Sequence, residues 1–299
     1  MRKLIPLFGI GLLAAACVTG GASPTPGGSA GGSPTAEPTP ARDYDVPSGA
    51  NDLVMSIATG GGLVPPGYIL TEMPDLALYG DGRVVVPGPI AEIYPGPLLP
   101  NLRVMRLTPA EIQKILAAAD QVGLLGPDAR YDATGITDLG TTVFTTVEGG
   151  KVHRISAYAL MKDATADDPA VEAMRAKLMT FEGKVFGLSE FLGRAVDDTE
   201  AYEPAAMRVF VSEATAADQP LPTAQTLAWP LAADPMATGE ATSFPDLVCV
   251  LLGGADLTSF VEVATTANAQ TVWTYGTGRY SVRVRPLFPH ESGCGGSTP

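Results

Sequence analysis

The chain has 299 residues, 17% of them charged, and a formal net charge of −13 at pH 7. That length supports one large domain or two small ones. So acidic a surface repels phosphate backbones and anionic head groups, which excludes nucleic acid as an expected partner and leaves the folded surface without an electrostatic reason to touch a membrane.

The chain opens with Arg2 and Lys3, an apolar run from Leu4 to Leu13, the small residues Ala14, Ala15 and Ala16, and then Cys17. Charge, a short apolar core and small residues make the layout of a secretory signal peptide. The run is shorter than the about 20 residues a membrane-spanning helix needs. Leu13-Ala14-Ala15-Ala16-Cys17 resembles the processing site of bacterial lipoprotein signals, with Ala14 standing where that class usually has Leu. The resemblance implies removal of residues 1–16, a diacylglyceryl group on Cys17, and a place on the extracytoplasmic face of the cell membrane. Two acyl chains anchor stably where one binds marginally, at about 0.8 kcal/mol per buried methylene. Residues 17–42 then form a Gly/Ser/Pro/Thr-rich linker with too few apolar residues to offset the entropy of ordering. Its root-mean-square reach is roughly 25–30 Å.

The first folded stretch, 43–195, begins with a predicted strand over 52–59, where Leu53, Met55 and Ile57 alternate with Val54, Ser56 and Ala58. After the loop "GGGLVPPGY", the run "LALYGDGRVVV" (76–86) reads as a β-hairpin turning at Asp81-Gly82. No helix follows to receive a phosphate, so the glycines are turn residues rather than a phosphate loop. A helix is predicted over 107–125, with Thr108 as N-cap, Pro109 in the first turn and Glu111 completing a capping box. Ile112, Ile115, Leu116 and Ala119 make its apolar stripe, and Gly123 can end it. Residues 141–159 read as a second hairpin around Gly149-Gly150. A second helix is predicted from Pro169 to Phe186, capped by Asp168, with Val171, Met174, Leu178, Phe181 and Val185 on one face. The Tyr79–Gly82 hairpin, the helix opening at Leu107–Glu111 and the hairpin from Thr141 to Tyr158 together resemble uncharacterised domains of bacterial envelope proteins. That resemblance implies no activity.

The acidic stretch "DDTEAYEP" (197–204) marks a second block, 196–299. "MRVFVSEA" and "LVCVLL" read as strands, and Asp256 as the cap of a helix burying Leu257, Phe260, Val261 and Ala264. "TVWTYGTGRYSVRVRPLF" (271–288) reads as a hairpin whose "YGTGR" echoes the earlier "YGDGR". With Cys17 lipidated, Cys249 and Cys294 remain as a pair, and outside the cytoplasm that parity points to a disulfide. The competing interpretation is a buried free Cys249 with Cys294 in a Gly-rich tail. Strand pairs separated by isolated helices, without regular βαβ alternation, predict an α+β fold: antiparallel sheets with a few packed helices, in two linked lobes.

Chemistry-bearing patterns are sparse. Of the two histidines, His153 has Ser156 as its nearest serine, but three positions apart on a strand they face opposite sides. His290 lies near the tail. Neither GxSxG nor SxxK occurs. The cysteines and histidines lack zinc-ligand spacing. Asp128, Asp132 and Asp138, and likewise Asp163, Asp167 and Asp168, crowd along the chain without matching a calcium loop. No catalytic residue, metal ligand or cofactor is therefore assigned. The Pro/Gly-rich loops at 60–68 and 86–100 carry Tyr68, Ile93, Tyr94, Leu98 and Leu99, apolar groups that either meet a partner or fold over the sheet. The expectation is a non-catalytic, lipid-anchored extracytoplasmic lipoprotein that binds another cell-envelope component. The alternatives are a solute- or carbohydrate-binding lipoprotein and an extracytoplasmic hydrolase with a carboxylate site.

Overall fold

The computed structural model describes residues 42–65, 67–196, 200–215 and 225–295. The expected signal peptide, Cys17 and the linker up to residue 41 lie outside the described residues. From Arg42 onward the chain is one compact unit, and its class is α+β. In chain order come β1 (Leu53–Gly60), a 3-10 turn (Tyr68–Thr71), β2 (Leu76–Tyr79), β3 (Arg83–Pro87), β4 (Leu102–Arg106), α1 (Pro109–Gln121), β5 (Ala129–Arg130), β6 (Thr141–Glu148), β7 (Lys151–Tyr158), α2 (Pro169–Phe186), α3 (Leu188–Leu192) and β8 (Glu200–Ala201). These strands form one sheet in the order β5-β7-β6-β1-β2-β3-β4-β8, antiparallel except where β5 joins β7.

The rest is β9 (Ala206–Glu213), β10 (Thr226–Ala228), α4 (Pro235–Thr238), β11 (Glu240–Ala241), β12 (Leu247–Gly253), α5 (Gly254–Ala264), β13 (Val272–Tyr275) and β14 (Gly278–Pro286). They build a second sheet, β10-β13-β14-β9-β12-β11, parallel only at β10–β13. The two sheets do not divide the chain cleanly at residue 195. β8, from beyond it, extends the first sheet next to β4. Phe288, just after β14, packs with Ala77, Tyr79, Val85, Leu102 and Val104 on the first sheet's outer face.

Local chemistry explains the elements. Thr108 and Glu111 close a reciprocal capping box at the head of α1. Two hydrogen-bonding contacts from the Arg194 guanidinium, with the Thr108 N–H, hold the Glu111 carboxyl down to about 2. In the β2–β3 hairpin Gly82 has φ 85, and a Cβ there would collide with the carbonyl of Leu107. Only glycine meets both demands. The similarly spelled β13–β14 turn is built differently: Tyr275 pairs directly with Gly278, and Gly276 takes the positive φ. One expectation fails in α5. Its N-cap is Gly253, reached straight from β12, and Asp256 sits inside the first turn. With no linker between strand and helix, the cap position falls on the strand's last residue.

Helices cover one face of each sheet. Met55, Ile57, Leu78, Phe144 and Ile155 of the first sheet meet Leu116, Leu178 and Phe181 from α1 and α2. In the second sheet, Trp273 packs with Phe260 of α5 and with Trp229, at ring-centroid distances of 5.5 and 6.0 Å. Cys249 of β12 and Cys294 are joined by a disulfide, closing a loop worth about 4 kcal/mol in the chain-entropy picture.

The buried face of α2 differs from the expected apolar stripe. Its buried residues are Arg175, Leu178, Phe181 and Val185. Arg175 is fully buried and donates to four backbone carbonyls: Tyr131 (2.8 Å), Tyr158 (2.8 Å), Ala159 (2.6 Å) and Ala164 (3.0 Å). Ala159 has φ 51, a left-handed conformation that alanine rarely adopts. The guanidinium thus pins α2 onto the chain leaving β5 and β7. Arg175→Met should lower unfolding stability by about 3 kcal/mol, because four buried or half-buried carbonyls lose their donor together. A urea titration checks this, and a loss under about 1 kcal/mol would show that water or repacking replaces the clamp.

Candidate functional site

The outer faces of the two sheets look toward each other, and between them lies a cleft of about 680 Å³. One wall is the first sheet: Ser56 and Ala58 of β1, Thr141, Val143 and Thr145 of β6, and Arg154 of β7. β1 supplies it because its alternation puts Met55 and Ile57 in the helix-side core and Ser56 and Ala58 on the opposite face. The β1–β2 loop adds Ile69, Leu70, Glu72 and Met73, and the far wall holds Arg208 of β9, Arg285 of β14 and the segment His290–Ser292.

Arg208 and Arg285 face each other directly across the β9–β14 ladder. Both are almost wholly buried, at 2% and 3% exposure. Two like charges placed so would repel strongly without compensation. Arg285 is compensated by Glu291: each carboxylate oxygen takes one guanidinium nitrogen at 2.6 Å, the planar fork that suits arginine. Its Nε donates to the Glu72 carbonyl at 2.6 Å, tying β14 to the β1–β2 loop. Arg208 instead donates to main-chain carbonyls, Gly293 at 2.7 Å and Ser292 at 3.2 Å. Burial, followed by the neighbouring Arg285 charge, lowers the Arg208 pKa, against the opposing pull of Glu291.

Beside this pair the Tyr79 hydroxyl lies 2.8 Å from Nδ1 of His290. Burial pushes the Tyr79 hydroxyl well above its ordinary range, and burial also lowers His290. The Glu72 carboxylate accepts from the Gly61 N–H at 2.8 Å, so it is committed to shaping its own loop. Among the described residues, no group of three or more His, Cys, Asp or Glu side chains is placed to hold a metal ion. Three of the aspartates that crowd in sequence serve the backbone: Asp128 accepts from Arg154 N, Asp132 from Tyr158 N, and Asp168 caps α2 through Ala170 N. His153 lies apart from the cleft lining, its Nδ1 at 2.7 Å from the Gly126 carbonyl.

The apolar loop residues separate into two groups. Tyr68, Ile93 and Tyr94 are exposed, Tyr94 by 75%, and they are joined by Leu63, Ile69 and Ile90, which the sequence reading did not single out. Leu98 is buried and Leu99 partly buried; both pack in the second sheet's core, with Leu98 N donating to the Ala267 carbonyl. These two are therefore structural and leave the proposed surface. The pull inward comes from a bridge between Pro97 and Asn268, which draws the end of the β3–β4 loop onto the turn after α5.

Both loops leave the same end of the first sheet, because Gly60, Leu76, Pro87 and Leu102 lie at that end by register. The chain enters the fold at the other end. Asp45 accepts from Gly149 N in the β6–β7 turn, and Arg42 pairs with Glu148 beside it. The eight residues of β1 separate the two ends by roughly 25 Å. Among the described residues, no helix is long and apolar enough to cross a membrane.

Comparison with protein-family models, curated proteins and solved structures finds no match to this chain.

Behind the cleft wall, Asp75 accepts from Thr59 N, and the α2 carboxyl of Glu182 lies in its field. Burial, then the Asp75 charge, raises Glu182 to about 7. A raised carboxyl favours the folded state at low pH, and that stability is lost as pH climbs from the unfolded value of 4.5 through about 7. Glu182→Gln should thus match the parent at pH 4 and exceed it at pH 8 by about 1 kcal/mol, the full shift being discounted for solvent screening. Denaturation midpoints at the two pH values check it; equal gains at both would remove the carboxyl's charge as the cause.

Proposed function

We propose that the protein is a non-catalytic, lipid-anchored lipoprotein of the extracytoplasmic face, tethered through Cys17, whose β1–β2 and β3–β4 loops bind another cell-envelope component, a protein. The observation that carries this reading is the placement of large apolar side chains at one end of the first sheet. Leu63 and Tyr68 on one loop, and Ile90, Ile93 and Tyr94 on the other, are exposed. Such groups are costly to leave in water and are typical of surfaces that another molecule covers.

Two further features support it. The loops are braced rather than loose: Gln270 donates to the Tyr94 hydroxyl at 2.7 Å, Ala269 N to the Gly96 carbonyl, and Leu63 N to the Asp138 carbonyl. A braced loop loses little conformational entropy on binding. They also lie together at one end of the first sheet, opposite Arg42 and Asp45, so the two loops can form one surface.

The solute-binding alternative draws on the cleft. The hydrolase alternative has less support, since among the described residues the carboxylates lining the cleft, Glu72 and Glu291, are already engaged by Gly61 N and Arg285.

Cross-linking in intact cells, read by mass spectrometry, tests the leading reading. One recurrent envelope protein should be captured through residues of 60–71 or 88–96. Combined Ile90→Ser, Ile93→Ser and Tyr94→Ser should weaken that capture at least tenfold, about what losing one or two interface anchors costs. Capture unchanged by the triple substitution, or no recurrent partner, would count against it.

A further inference from the structure

We infer that the cleft between the sheets is a binding site for a small organic carboxylate with an apolar body, and that Arg208 is its anchor. The inference is independent of the loop surface, and it starts from an imbalance of charge. In a chain of net charge −13, the described residues lining the cleft include Arg154, Arg208 and Arg285 against Glu72 and Glu291. Glu291 is fully engaged by Arg285, and the Glu72 carboxylate by Gly61 N.

Arg208 is left as a buried guanidinium without a carboxylate. Among the described residues it forms no ion pair: Nε and Nη2 go to the carbonyls of Gly293 and Ser292, and the carboxylate in its field, Glu291, is held by Arg285. A buried cation of this kind, set beside a second cation, is a large standing cost unless an anion arrives. Structural arginines elsewhere in this protein show the contrast. Arg175 has four carbonyls and no cleft, and Arg285 has a bidentate carboxylate. Arg208 has neither, and it borders open space.

The remaining lining sets the rest of the ligand. Leu53, Ala58, Ile69, Leu70, Met73 and Val143 supply an apolar surface, suited to an aliphatic or aryl body. Ser56, Thr141 and Thr145 offer hydroxyl groups on the facing wall. A volume of about 680 Å³ falls within the range of sites that enclose a small molecule. A phosphate or sulfate would gain from the arginines but would leave this apolar wall unused. A neutral apolar molecule would leave Arg208 unpaired.

The test is isothermal titration calorimetry of the purified protein with three probes: octanoate, octanamide and inorganic phosphate. Octanoate should bind with a dissociation constant of about 1 mM or tighter, and octanamide and phosphate at least tenfold more weakly. Arg208→Met should weaken octanoate at least tenfold and leave octanamide unchanged. Equal binding of octanoate and octanamide would overturn the proposal by reducing the cleft to an apolar hole. Phosphate binding as well as octanoate would overturn it in favour of a general anion site, and no octanoate binding at about 10 mM would overturn it outright. If the Arg208 variant fails to fold, the comparison of acid with amide on the parent protein still decides.

Discussion

The buried pair of Arg285 and Glu291 is the constraint on which the arrangement rests. Their two 2.6 Å bonds neutralise a buried cation near the end of β14, on the middle strand pair of the second sheet. The same carboxylate accepts from Phe288 N and so fixes the turn that follows β14. The Arg285 Nε reaches the Glu72 carbonyl of the β1–β2 loop. One residue therefore links the second sheet, the C-terminal segment and the first sheet. From the turn that Glu291 sets, Ser292 and Gly293 turn their carbonyls onto Arg208, and Cys294 meets Cys249. Removing either partner would leave the other charged and buried, a loss of about 3–5 kcal/mol in comparable cases.

This constraint also shapes the cleft. The pair places one matched and one unmatched guanidinium side by side, and the loop it holds forms a wall of the space in front of them. Tyr79 and His290 close the neighbouring corner through a 2.8 Å contact, with Phe288 packed on the first sheet beside them. The site is thus assembled from both sheets and the tail. The apolar loop tips stand apart from it, at the end of the first sheet away from Arg42, so the loop surface and the cleft occupy different parts of one body.

Much of the fold was legible because local signals were strong. The Thr108–Glu111 box, the Asp168 cap and the Gly82 turn each answer a backbone demand within a few residues, and each stands where the sequence puts it. Strands β5, β8, β10 and β11 were not legible, since two or three residues carry no periodicity and their pairing is decided by what lies beside them. Arg175 sat hidden in an apolar stripe because its partners are main-chain carbonyls, which leave no trace in sequence. The site was missed for a related reason. A lone arginine in "MRVFV" and the alternating arginines of "VRVRP" put charges on strand faces, but their meeting across β9 and β14 depends on register. For Leu98 and Leu99 the sequence left partner surface and folded-over loop both open, and the bridge to Asn268 decides for the latter.

The central claim is that the Arg285 hub makes the two sheets one cooperative body around a shared cleft. Both tryptophans of the chain, Trp229 and Trp273, lie in the second sheet's core, so tryptophan fluorescence reports that sheet, while far-UV circular dichroism reports both sheets and all the helices. The most direct test is to follow urea unfolding of the purified protein by the two signals together. The account predicts one transition with coincident midpoints. A tryptophan transition separated from the circular dichroism transition would show two sheets that unfold apart, and would contradict it.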